Sequence, residues 1–267
     1  MVAPKGLWVM NADGSGKKQL VTASGIQDAR FSPDGKRIAF DKVIDTWNTD
    51  IFVIPVTGGT PTRVTTSPYR ERQPRWSPDG KKLTFVSDRV WESNAWDDVF
   101  MINSTAPYGK AVNVTNSASN GPCSSDYSTE MSFTWSPDGK QFAVMCMYET
   151  HEDYEYFFAF FDLVTRSWHD YDSHALNPRD YSPDGKRLAL TDNWSKLSVL
   201  TVPAGRRLVF ADRAMYGHAA WSPDGTLLTV GRRNLTTGKF DTYILRPDGT
   251  GQRLLAAGYD PVDWTNR

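Results

Sequence analysis

The sequence predicts an all-β fold, a six-bladed β-propeller, and three observations predict it. One phrase recurs: Phe31-Ser32-Pro33-Asp34-Gly35-Lys36, Trp76-Ser77-Pro78-Asp79-Gly80-Lys81, Trp135-Ser136-Pro137-Asp138-Gly139-Lys140, Tyr181-Ser182-Pro183-Asp184-Gly185-Lys186 and Trp221-Ser222-Pro223-Asp224-Gly225-Thr226. The aromatics, with Trp264 of a last, broken copy, lie 45, 59, 46, 40 and 43 residues apart, the period of one four-stranded blade. After every complete copy alternate residues are apolar, as in Ile38 and Phe40 or Leu83 and Phe85, and period two means strand.

Each copy reads as strand, turn, strand. Proline sets φ for the first central turn position, Asp suits the second, and Gly supplies the left-handed residue that closes the hairpin. The aromatic before Ser is placed to fill the space between neighbouring sheets. A third strand follows in each unit (Ile51–Ile54, Val99–Ile102, Phe157–Phe161, Leu197–Val202, Thr242–Leu245). A more polar fourth strand closes it (Thr62–Thr65, Ala111–Thr115, Ser167–His169, Arg206–Val209, Gln252–Leu255). The ends supply the remaining unit: N-terminal strands within about 7–22 and a C-terminal strand at about 260–265 are expected to form the closing blade, its second strand missing or reduced to Met1–Pro4. The whole chain, 1–267, is expected to be a single propeller domain and a monomer.

Composition narrows the function classes. A net charge of −1 without a long basic run removes the footprint of a nucleic-acid binder. The longest apolar runs are strand-sized and too short to span a membrane as a helix. Cys123 and Cys146 are either two separate thiols or a disulfide tying the Asn116–Glu130 loop to the strand Gln141–Met147.

The phrases Arg75-Trp76-Ser77-Pro78-Asp79-Gly80-Lys81-Lys82-Leu83-Thr84-Phe85 and Leu7-Trp8-Val9-Met10-Asn11-Ala12-Asp13-Gly14-Ser15 closely resemble the TolB-type six-bladed propeller repeat, over nearly the whole length. The resemblance implies a propeller and leaves its use open. Similar repeats serve the periplasmic TolB protein, which binds partner peptides at its channel, propellers that precede peptidase domains, and oligogalacturonate lyases. This chain has no room for TolB's additional α/β domain or for a hydrolase domain, and the resemblance implies a periplasmic or secreted setting.

Strands alternate in direction, so the Ser-Pro-Asp-Gly turns share one face and the longer connections share the other. Long loops on the rim of a rigid ring are where binding residues gather. That rim carries Trp47, Trp91, Trp96, Tyr148, Tyr154, Tyr171 and Tyr216, and the residues entering the innermost strands there are Asp28, Arg72, Gln73, Ser132, Asn177, His218 and Asp260. Aromatics beside arginine are the composition of a binding surface. The expected function is a non-enzymatic module that takes a protein or peptide, with a glycan as a further candidate, and needs no cofactor. The alternatives are a metal-dependent carbohydrate lyase or hydrolase, with His218, Asp28 and Asp260 as the metal group, and a structural propeller of a larger protein. No Gly-x-Ser-x-Gly elbow accompanies the repeated serines, which read as turn residues.

Overall fold

The Ser-Pro-Asp-Gly phrase folds the same way five times. Its glycines all take positive φ, from 65° at Gly35 to 71° at Gly139, a region closed to most side chains. The serine hydroxyl holds each turn: Ser182 Oγ donates to Asp184 Oδ1 at 2.6 Å and accepts the Arg187 N–H at 2.9 Å. Successive turns also stack, since a Cβ on Gly80, Gly139 or Gly185 would meet the proline of the preceding turn.

The computed structural model describes residues 1–3, 6–89, 97–116, 128–149, 154–172, 176–192, 196–202, 205–210, 214–261 and 263–265. An N-terminal sheet pairs β1 (Val2–Ala3), β2 (Gly6–Val9) and β3 (Lys18–Val21) in that order. Blade 1 is β4 (Ile26–Phe31), β5 (Arg37–Val43), β6 (Thr49–Pro55) and β7 (Thr62–Arg63). Blade 2 is β8 (Glu71–Trp76), β9 (Lys82–Ser87), β10 (Asp98–Asn103) and β11 (Val112–Asn113). Blade 3 follows with β12 (Ser128–Trp135), β13 (Gln141–Glu149), β14 (Tyr154–Asp162) and β15 (Ser167–Asp172). Blade 4 is β16 (Leu176–Tyr181), β17 (Arg187–Asp192), β18 (Leu197–Thr201) and β19 (Arg207–Val209). Blade 5 is β20 (Tyr216–Trp221), β21 (Leu228–Arg233), β22 (Phe240–Leu245) and β23 (Arg253–Ala256).

The molecule is therefore an all-β propeller with five complete four-stranded blades, where the repeat count leads to an expectation of six. The expected C-terminal strand at 260–265 is not formed among the described residues; Asp260 makes only an isolated bridge. Its neighbour offers little to pair with, because β1 is two residues long and already pairs with Leu7 and Gly6 of β2. The segment is held by side chains instead. Asp263 Oδ2 accepts the Phe31 N–H at 2.6 Å, and Tyr259 meets the Trp8 ring edge-on at 5.7 Å.

Among the described residues, five apolar cores lie between successive sheets. The first joins the N-terminal sheet to blade 1 through Leu7, Ile38 and Phe40, and the next packs Trp76, Leu83 and Phe85 against Ile51 and Val53. The blade 2–3 core contains Phe133, Phe142 and the disulfide-bonded Cys146, while Cys123, the other cysteine of the sequence, lies outside the described residues. Indoles staple the sheets: Trp76 Nε1 donates to the Arg30 carbonyl and Trp221 Nε1 to the Asp180 carbonyl, at 3.0 and 3.1 Å. Between blade 5 and the N-terminal sheet the described residues instead enclose a cavity of about 480 Å³, bordered by Trp8, Thr229, Thr242 and Trp264.

Candidate binding channel

The inner strands β4, β8, β12, β16 and β20 line the central channel and run from the loop-bearing face to the turn face. All five break register before the motif aromatic, between Ile26 and Ala29, Arg72 and Arg75, Ser128 and Glu130, Pro178 and Asp180, and Tyr216 and Ala219. Such bulges re-aim backbone and side chains. Gln73 sits in one of them with φ of 55°, a left-handed conformation uncommon outside glycine.

At the loop-bearing end the predicted residues meet across blades. His218 Nδ1 lies 2.9 Å from Asp260 Oδ2, both side chains about a fifth exposed (22% and 21%). Ser132 Oγ donates to Asn177 Oδ1 at 3.1 Å, and Gln73 Nε2 donates to the Met131 carbonyl at 3.2 Å. Arg72 pairs with Asp97. Asp28 is buried rather than presented at the mouth. Its Oδ2 accepts from Arg75 Nη1 at 2.6 Å and its Oδ1 lies 3.6 Å from Arg30, and although desolvation opposes ionisation, the Arg30 and Arg75 charges win and hold its carboxyl far below the usual range. That occupation separates Asp28 from His218 and Asp260 as a ligand group, and among the described residues no three His, Cys, Asp or Glu side chains converge as a metal site would need.

Four other aspartates that bond an inner strand carry the opposite shift, as does Asp50 in β6. Asp41 is pushed up to about 6, and Asp97 and Asp180 to about 7, chiefly by burial; Asp263 is raised for the same reason. Each accepts a backbone N–H from the inner strand of the next blade. Asp41 takes that of Gln73, Asp97 that of Met131, Asp180 that of Trp221 and Asp263 that of Phe31. Carboxylates thus bond the inner strands of blades 2, 3, 5 and 1 to the unit before each.

The rim residues fare unequally. Trp47, in the β5–β6 connection, is 79% exposed, the largest exposed aromatic among the described residues. Tyr216 is not on the rim: it is 3% exposed, because as the first residue of β20 it faces Leu197, Phe210 and Ala214 in the blade 4–5 core. Trp91 and Trp96 lie outside the described residues, and Tyr148 stands in β13 with its side chain outside them.

Missing from the residues expected to bind are those one place before five of the six aromatics, Arg30, Arg75, Thr134, Asp180 and Asp263, the sixth being Ala220. A signal was available, since four of the five are charged and all share one offset from the motif aromatic. They line a second opening of about 410 Å³ on the turn face, walled by the motif aromatics and prolines, which shares Phe31, Asp263 and Trp264 with the 480 Å³ cavity.

Fold and channel define a β-propeller with a polar, charged bore and a mouth at either face. Residues 1–132 match the family described as the Tricorn protease N-terminal beta propeller domain. Over 245 residues the chain is 27% identical to a Bacillus subtilis (strain 168) protein, the uncharacterized peptidase YuxL, covering 85% of this chain and 34% of that one. The chain thus spans about a third of the length of this curated relative. The propeller is similar to TolB from Acinetobacter baumannii, with a TM-score of 0.73 at 17% identity over 95% of this chain and 60% of that one. It is similar also to a putative TolB from Agrobacterium tumefaciens, with a TM-score of 0.71 at 16% identity over 94% and 90% of the two chains.

Proposed function

We propose that the protein is a non-enzymatic binding module that engages an extended peptide segment of a protein partner at the loop-bearing mouth of its channel. The observation that carries this reading is the cross-blade cluster of polar side chains there, from a fifth exposed at His218 and Asp260 to buried at Ser132. His218 with Asp260, Asn177 with Ser132, and Gln73 form a set of donors and acceptors, all but Asp260 on inner strands, on the face that also carries the exposed Trp47. Sites of this kind, with a few convergent polar groups on a fixed scaffold, fix orientation while an aromatic anchor supplies contact area. The likeness to TolB propellers supports the same role, and with the buried disulfide-bonded Cys146 it supports a periplasmic or secreted setting. In this reading residues 1–267 act as one propeller unit, with the C-terminal segment and the N-terminal sheet together serving as an incomplete sixth blade.

Selection of a random peptide display library on the immobilised protein tests the proposal. Enriched sequences should protect the amides of Gln73, Ser132, Asn177 and His218 from hydrogen exchange when bound. Enrichment of no sequence, or protection confined to the outer strands, would reject it.

A further inference from the structure

Beneath the loop-bearing mouth, blade 4 puts an arginine into the bore. In β16 Leu176 and Pro178 are buried while Asn177 and Arg179 are only partly so, the alternation of a strand with one open side. Asn177 belongs to the mouth through its bond with Ser132. Arg179 stands two residues further along a strand that runs inward, about 7 Å deeper. The register break between Pro178 and Asp180 leaves Arg179 without a ladder partner, at the bulge position that re-aims a side chain.

Its guanidinium is anchored at one edge and open at the other. Arg179 Nε donates to Oγ1 of the fully buried Thr191 at 2.8 Å. Nη1 and Nη2 make no hydrogen bond among the described residues and, in contrast to those of Arg30, are not sealed from solvent. No described carboxylate pairs with Arg179: Asp28 is taken by Arg75 and Arg30, Asp97 by Arg72 and Asp260 by His218. Desolvation lowers its pKa to about 10, so it stays cationic at neutral pH. The charges of Asp28 and Asp260 oppose that shift and those of Arg30 and Arg75 add to it, so the group lies within electrostatic reach of the far wall of the bore. Asn177 supplies a further donor on the same side of the strand, because its Oδ1 accepts from Ser132 and its Nδ2 has no described partner. A cation fixed there without a counter-charge is completed by an anion, and the planar fork of a guanidinium suits a carboxylate.

We propose that Arg179 is the carboxylate receptor of the channel: the peptide engaged at the loop-bearing mouth carries a carboxylate that reaches Arg179 Nη1 and Nη2, with Asn177 Nδ2 donating beside them. This inference rests on the peptide reading above and narrows it. An Asp or Glu side chain and the peptide's own C-terminus share this chemistry.

Synthetic hexapeptide libraries screened on the immobilised whole protein test it. One has free C-termini and no Asp or Glu, one is amidated and contains both acids, and one is amidated and lacks any carboxylate. Enrichment is expected from the first two. Hits from the amidated acidic library assign the carboxylate to a side chain, and hits confined to the free-acid library assign it to the chain end. The best hit and its carboxamide counterpart are then titrated calorimetrically. The wild-type protein should prefer the carboxylate form about tenfold or more, the scale of one charge-assisted contact, and Arg179→Gln should bind both forms alike. A merely structural effect of the substitution would weaken both forms equally. If Arg179→Gln does not fold, Arg179→Lys, which keeps the charge without the fork, should reduce the preference. Equal enrichment from the library without carboxylates, or a carboxylate preference unchanged in the folded variant, would overturn this inference and leave the peptide reading standing. No enrichment from any library would overturn both.

Discussion

Gly231 leaves room for one particular neighbour: a Cβ there would lie 1.9 Å from Asp260 Oδ1 and 3.2 Å from Pro261 Cδ. The glycine is required by close approach of the C-terminal segment rather than by its own backbone angles. Gly231→Ala should therefore expel Asp260 from His218 and cost about 1–3 kcal/mol, the usual scale of overpacking, seen as a lower urea midpoint. Trp76→Phe acts on a different contact. It strands the buried Arg30 carbonyl that accepts the indole N–H and weakens the ring beneath the Arg37 guanidinium, 4.5 Å from its centroid, so a loss of about 1–3 kcal/mol is expected by chemical denaturation. At this scale the sequence showed that His218 and Asp260 belong to a mouth, because both precede a motif aromatic. It could not show that Asp28 is held by two arginines, since partner choice across blades depends on side-chain reach. Tyr216 was misplaced because the boundary between a rim loop and the start of a buried strand has no local marker.

The turn is the element that makes the repeat readable. Proline, aspartate and glycine announce a hairpin by their backbone preferences alone, and the five hairpins form where the phrase falls. The serine does something those preferences do not reveal: buried Oγ atoms such as that of Ser182 bond the aspartate and the N–H across the hairpin together. Ser182→Ala should cost about 1–3 kcal/mol through the unsatisfied Arg187 N–H, with thermal melting as the readout. A threonine at the same position, which keeps the hydroxyl, should recover part of the loss. The closing blade was legible only in part. Its three N-terminal strands follow the pattern, but a period of apolar residues cannot report that the last strand lacks a partner long enough to pair with.

Across the whole molecule, four of the inner strands are bonded to the preceding unit by aspartates whose carboxyls sit above their ordinary value. A carboxyl raised on folding binds more protons in the native state than in the unfolded one, so its contribution is largest near the unfolded value of about 4 and is lost as pH rises through the folded value. For Asp41 that loss runs to about 6, and for Asp97 and Asp180 to about 7. The turn aspartates, including Asp79 and Asp184, and the ion-paired Asp28 are shifted downward, and their contribution is lost as pH falls below about 4. Stability should then peak at about pH 4 and decline up to about pH 7, so that it is lower at pH 8 than at pH 5. Urea midpoints measured across that range check this, and Asp97→Asn should flatten the slope. A midpoint that rises from pH 5 to 8 would contradict the assignment. Asp41 and Asp97 lie at different offsets from the motif, which is why the repeat did not reveal them.

The most direct test of the binding role is the affinity of a display-selected peptide for the wild-type protein and for His218→Ala and Asn177→Ala, each checked for an unchanged melting temperature. Loss of affinity by about tenfold in each variant, the scale of one lost polar contact in a rigid site, is the result the account predicts. Equal affinity for all three folded proteins would contradict it and move the ligand away from the loop-bearing mouth.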